Sequence, residues 1–193
     1  MKKQITIAIL LLYVFLNARA QTGVYMTYDD FKNGNLIKAY QDAFKIKPIK
    51  HMVALRVPGG GTKDYNCSDI WGMLIDGKLN RIANSPSGGT VVCELTMLTD
   101  NYALWLYSET IHEFGKPDRE LTVNFISYKL DGELLYYGIT TKIDKLAEHK
   151  GFKPLADCVK SGKQKFMGRA IKDCIEKDPT LILDIKGIVP PVK

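Results

Sequence analysis

The chain has 193 residues, 46% hydrophobic and 25% charged, with a formal net charge of +6. Lys2, Lys3 and Arg19 fall within the first twenty residues, so the remaining 173 carry only +3, too small an excess to argue for a nucleic-acid partner. That length suits one domain with a substantial core.

Lys2 and Lys3 precede an apolar run from Ile5 to Leu16. The run has the length of a signal-peptide core and falls short of the roughly 20 residues that span a bilayer. Ala18-Arg19-Ala20 supplies small residues for a signal peptidase, which places cleavage after Ala20 and makes Gln21 the mature N-terminus. A lipoprotein would need cysteine there, so lipid anchoring is not expected. No later segment has the length and apolarity of a membrane helix. The expectation is an exported chain, periplasmic or extracellular, with no transmembrane segment after cleavage. Its mature part divides into an N-terminal segment (21–51), a β-meander (52–139), helices (140–187) and a tail (188–193).

The mature chain opens on GVYMTYDDFKNGN, residues 23 to 35. Thr27 followed by Asp30 has the capping-box offset, Asp29 adds charge in the first turn, and Gly34 ends the helix. Tyr25, Tyr28 and Phe31 then supply its packing face. From Met52 the pattern turns to strands: 52–57, 70–75, 79–83, 90–98, 103–108, 121–130 and 133–139. Asp76-Gly77 and Asp131-Gly132 read as two-residue hairpin turns, because glycine accepts the positive φ of a type I′ turn. Short connections of this kind join antiparallel neighbours. YALWLY (102–107) and LLYYGI (134–139) are apolar on both faces. Either helices cover the second face, or the sheet curls and its outer aromatics meet a partner.

Thr140 can cap a helix carrying Ile143, Leu146 and Ala147 and closed by Gly151. Pro154 starts a second helix, Phe166 to Ile175 belong to a third, and Asp178-Pro179 begins a short fourth that Gly187 ends. Lys142, Lys145, Lys150, Lys153, Lys160, Lys163 and Lys165 are spaced as on the solvated sides of these helices. The fold class is α+β: a curved antiparallel meander or partial barrel with C-terminal helices packed on it.

Four cysteines in an exported chain favour disulfides, and the local pairing is Cys67 with Cys93 and Cys158 with Cys174. A simple helical hairpin turning near Gly162 would leave Cys158 and Cys174 out of step by about 10 Å. The second bridge therefore requires a longer connection or crossed helices.

No motif for catalysis emerges. PGGGTK (58–63) lacks the spacing and the following helix of a phosphate loop and reads as an inter-strand connection. His51, His112 and His149 are scattered, His112-Glu113 lacks the second histidine of HExxH, and no GxSxG is present. Asp29-Asp30 could serve acid and base chemistry, but the helix start accounts for them. No cofactor and no metal site is expected.

GVYMTYDDFKNG, the hairpin IWGMLIDGKLNRI (70–82) and the segment DCIEKDPTLILDIKG (173–187) resemble parts of a family of exported, functionally uncharacterised Bacteroidetes proteins. The resemblance covers the start, one hairpin and the tail. It implies export and no catalytic residue; the triple glycine and the NSPSGG turn (84–89) depart from the pattern. The leading expectation is a non-enzymatic binding or envelope-associated module, with Trp71, Trp105, Tyr107 and Tyr137 as the candidate binding surface if the site is in the sheet. Each of these is also a candidate core residue. A hydrolase acting on envelope or dietary polymers and an adhesion or assembly subunit are the alternatives. The expected partner is a small molecule, an envelope polymer or an envelope protein.

Overall fold

The computed structural model describes residues 21–40, 44–47, 50–86, 88–112, 117–138, 143–162, 164 and 166–192. The expected leader (1–20) and the expected Thr140 cap lie outside the described residues. The elements run β1 (Gly23–Tyr25), α1 (Tyr28–Asn33), β2 (Ile37–Lys38), β3 (Phe44–Lys47), β4 (Met52–Arg56), β5 (Thr62–Asn66), β6 (Gly72–Ile75), β7 (Lys78–Asn84), β8 (Thr90–Leu98), β9 (Tyr102–Ile111), β10 (Arg119–Tyr128) and β11 (Leu135–Tyr137), followed by α2 (Ile143–Glu148), α3 (Lys153–Ser161) and α4 (Met167–Glu176).

α1 begins and ends on its sequence signals. Thr27 Oγ1 accepts from the Asp30 amide, Asp30 Oδ2 accepts from the Thr27 amide, and Gly34 stops the helix with a left-handed φ of 69°. Tyr25 and Phe31 are buried and meet edge to face at 5.4 Å.

The strands form an eight-stranded antiparallel sheet in the order β11-β10-β9-β8-β7-β6-β1-β2 and a three-stranded sheet β3-β4-β5. At the β6–β7 turn Asp76 and Gly77 both have positive φ, 50° and 76°, as a type I′ turn requires. PGGGTK is the turn between β4 and β5: Gly59 and Gly61 have positive φ, and the Val57 amide donates to the Gly61 carbonyl. β1, β2, β3 and β5 are additions to the strands expected from the sequence.

Register assigns the faces of the large sheet. Cross-strand partners share a face, so Arg81, opposite Cys93, lies on the side of Leu79 and Ala83. The Leu95, Trp105, Phe125 and Tyr136 register continues that side. It forms an interior with Tyr25, Phe31, Leu74, Cys93, Trp105 and Phe125 at its centre. The opposite side is covered twice. At the β1–β6 end, Val24 and Met73 meet Val53 and Leu55 of the small sheet. At the β9–β11 end, Tyr102, Leu104, Ile126 and Tyr137 meet Leu146, Phe152, Leu155, Ile171 and Ile175 of the helical segment. A bulge between Leu95 and Met97 moves Met97 from the interior face to the helix side. Both devices implied by YALWLY are therefore present: helices over one face and curvature around the other.

The curl is held by Arg81. Its Nε donates to the Trp71 carbonyl at 3.2 Å, and Nη1 donates to the carbonyls of Leu130 and Gly132 at 3.3 and 2.5 Å. The guanidinium lies 5.5 Å from the Trp71 ring and 5.7 Å from the Trp105 ring. β7 is thus tied across the interior to the β10–β11 connection. That connection is not the expected two-residue Asp131-Gly132 turn. Lys129 takes positive φ (61°), β10 stops at Tyr128 and β11 starts at Leu135. The longer loop exposes the carbonyls that Arg81 occupies.

Two other expectations are corrected. Cys67 and Cys93 are free and buried, not bridged. Cys93 belongs to the Arg81 side of the sheet and Cys67 to the cluster with Val24 and Met73, so the sheet stands between them. The fourth helix is absent: Asp178 Oδ1 accepts from the amide and hydroxyl of Thr180, and the Ile182 amide donates to the Leu98 carbonyl, which draws the chain onto the sheet. A single 3-10 turn, Ile185–Ile188, follows.

Arg81→Lys keeps the charge but replaces a three-bond fork with one compact head. It should cost roughly 2 kcal/mol or more, read as a lower urea midpoint at unchanged m-value. Burial pushes the Cys93 thiol from 9.0 up to about 12. The folded state therefore favours the protonated thiol, and the stability this contributes is complete below pH 9 and lost as pH rises toward 12. Thermal midpoints taken across that range should fall less steeply in Cys93→Val than in the parent.

Candidate functional site

Where the edge of the large sheet meets the first turn of α4, the surface opens into a groove of about 620 Å3. β10 contributes Thr122 and Asn124, β11 contributes Tyr136, Tyr137 and Gly138, and the α4 segment contributes Phe166, Gly168, Arg169 and Lys172. Alternation on β11 sends Tyr137 down among the helices and turns Tyr136 toward Phe125 on the other side. Tyr136 wraps the edge, and a side chain at Gly138 would collide with its ring. The resulting surface has an exposed ring on each wall: Tyr136, 41% exposed, and Phe166, 59% exposed. For large apolar side chains these are unusual exposures, and here they share one depression.

The α4 wall carries the charge. Arg169 and Lys172, three residues apart, fall on one helix face. Lys172 has an ion pair with Glu176 at 3.6 Å between exposed side chains; Arg169 has no ion pair or side-chain hydrogen bond among the described residues. Among the described residues no acidic side chain lines the groove. α4 starts without a side-chain cap and without an acid in its first turn, which leaves the positive end of the helix uncompensated. Tyr137 forms the floor, 3% exposed, and burial raises its phenol pKa. Arg169, Lys172, Asn124 and Thr122 can donate hydrogen bonds, and the two rings can stack. This combination suits holding an acceptor-rich ligand.

α4 is positioned from two sides. Ile171 and Ile175 anchor it on the sheet, at 0% and 1% exposure. The Cys158–Cys174 disulfide ties it to α3 with a Cα separation of 6.2 Å, so the offset expected from a simple hairpin does not arise. Elsewhere on the helices, Lys160 pairs with Asp144 at 2.6 Å and Lys153 with Asp157 at 3.2 Å. Lys153 and Lys160 thus lie on the solvated face expected for the lysines, in exposed pairs that contribute little stability, while Lys142, Lys163 and Lys165 lie outside the described residues.

Of the four candidate aromatics, only Tyr137 reaches the groove, from beneath. Trp105 is 1% exposed and donates from its indole nitrogen to Ser127 Oγ. Trp71 is half-buried against Tyr28, Phe31 and Arg81, and its indole N–H, like the Tyr25 hydroxyl, has no partner among the described residues. Tyr107 donates to Glu109 at 2.6 Å, and burial together with that carboxylate pushes its phenol up to about 12. These three serve the curled interior. Asp29 and Asp30 belong to α1: Asp29 pairs with Lys32, and the Thr27 hydroxyl bond lowers the Asp30 pKa, the opposite of what a general acid needs. His51 meets Thr90 Oγ1 at 2.8 Å and His112 meets Asp118 at 2.8 Å, so each has a partner of its own. Among the described residues no cluster of His, Cys, Asp and Glu could hold a metal ion, and no helix is long and apolar enough to cross a membrane.

Sequence reasoning missed Asn124, Tyr136, Phe166, Arg169 and Lys172. Phe166 reads as the first member of the α4 apolar stripe, yet it precedes the helix and points outward. The usable signal was Tyr136-Tyr137, which must face opposite ways on a strand.

No family model, curated protein or solved structure matches this chain.

The disulfide closes a loop of sequence separation 16, worth about 3 kcal/mol. Reduction should lower the urea midpoint accordingly and strip hydrogen-exchange protection from α3 and α4 ahead of β7–β9. Uniform loss over all elements would contradict its assignment as a local clamp of the groove wall.

Proposed function

We propose that the protein is an exported, non-enzymatic binding module that seats a segment of an envelope polymer in the groove between β11 and α4. One observation carries the reading: two exposed rings and two cations converge on one depression whose remaining lining is Thr122, Asn124, the buried Tyr137 and two glycines. Rings that remain exposed where neighbouring aromatics are buried gain stabilisation only when a ligand covers them. The walls stand on a sheet and a disulfide-anchored helix, so the surface is preorganised and a ligand need not order it. Export is supported by the leader-like first twenty residues and by the Cys158–Cys174 bridge, which fits an oxidising compartment. A hydrolase finds its best acid pair, Asp29 and Asp30, committed to the start of α1.

Retention on insoluble envelope material from the producing cells checks the reading. Tyr136→Ala with Phe166→Ala should lower retention about tenfold or more while the thermal midpoint stays near that of the parent. Unchanged retention in a folded double variant would place the working surface elsewhere.

A further inference from the structure

The groove also carries a charge preference, and the inference from it rests on the binding reading above. Arg169 is exposed at the groove wall and unpaired among the described residues. Lys172 holds Glu176 only at 3.6 Å, with both side chains about half exposed, so a competing anion displaces little. Among the described residues no carboxylate lines the groove to neutralise either cation. The whole chain has a modest charge excess, so the local imbalance is a property of this wall and not of the surface at large.

The two rings narrow the class of anion. A bare phosphate or an extended acidic peptide would use the cations and leave Tyr136 and Phe166 exposed. A pyranose offers both groups what they need: its axial C–H bonds are weakly positive and fit the negative face of an aromatic ring. Its hydroxyls match the Asn124 amide and the Thr122 hydroxyl, which can both donate and accept. A carboxylate on the sugar ring presents two coplanar oxygens, the shape that a guanidinium binds through parallel N–H bonds and that an ammonium meets only as a point charge.

We propose that the groove recognises an acidic glycan, a polymer whose pyranose units carry carboxylates. The units stack against Tyr136 and Phe166, and their carboxylates pair with Arg169 and Lys172. Recognition is by charge and ring face together, so neither a neutral glycan nor a ringless polyanion satisfies it.

Calorimetric titration of the full mature chain with hexagalacturonate, its fully methyl-esterified counterpart and a short inorganic polyphosphate tests this. The expected result is binding of hexagalacturonate, about tenfold or more weaker for the methyl ester and in Arg169→Gln, with affinity falling as salt rises. Phe166→Ala should weaken hexagalacturonate by a similar factor and leave any polyphosphate binding unchanged. Arg169→Lys should recover only part of the loss, because the fork is not restored. Equal binding of acid and ester would overturn the charge inference while leaving the groove reading intact. Polyphosphate bound as tightly as the glycan, with no effect of Phe166→Ala, would overturn the glycan. If none of the three binds while the chain still adheres to envelope material through Tyr136 and Phe166, the acidic-glycan inference fails alone. If that adherence is also absent, the groove reading fails with it.

Discussion

A half-buried guanidinium reaching across the interior is the constraint on which the architecture depends. Arg81 projects from a central strand into a space enclosed by Trp71, Trp105 and the β10–β11 loop, and burial lowers its pKa against the favourable field of Asp131. A charge in such a place is tolerated only when its donors are used. Here they are spent on three backbone carbonyls, two of which belong to a loop 49 and 51 residues further along the chain. The sheet must curl for that loop to arrive, and the curl gives Trp105, Phe125 and Cys93 a dry environment. The C-terminal chain completes it: Ile182, Ile185, Ile188 and Val189 lie against the same interior.

The curl decides what remains for the outer face. A sheet bent around one side exposes the other, and the chain covers it with the three-stranded sheet at one end and helices at the other. The seam where the helices stop and the edge strand ends is the groove. Its position is a by-product of construction, but its lining is not: Phe166, Arg169 and Lys172 could be any polar residues without cost to the packing of Ile171 and Ile175, which point the other way. Rings and cations at positions the fold does not need are what the proposed contact surface rests on.

Much of this was legible in the residues. The Thr27–Asp30 cap, the Asp76-Gly77 turn and the strand Thr90–Leu98 followed from local chemistry that tertiary structure did not override. The doubly apolar YALWLY correctly announced cover on both faces. What failed were matters of three-dimensional adjacency. Asp131-Gly132 has the right residues for a tight turn, but Arg81, distant in sequence, holds the loop open. Cys67 and Cys93 are near in sequence yet separated by a sheet whose faces only register could assign. β5, with sequence TKDYN, pairs through its backbone and gives almost no apolar signal. The groove was hidden for the same reason: its residues come from three elements, and its most exposed ring, Phe166, sits beside an apolar stripe to which it does not contribute.

The central claim is that ligand recognition takes place at the seam of β11 and α4 and leaves the Arg81-centred interior untouched. Backbone amide NMR of the mature chain during titration with hexagalacturonate tests it most directly. The account predicts shifts confined to the neighbourhoods of Asn124, Tyr136 to Gly138 and Gly168 to Lys172, with the indole N–H of Trp71 and the amides of β7 unmoved. Shifts centred on Trp71, Tyr25 and Arg81, with the groove silent, would contradict it and move the binding site into the curl of the sheet.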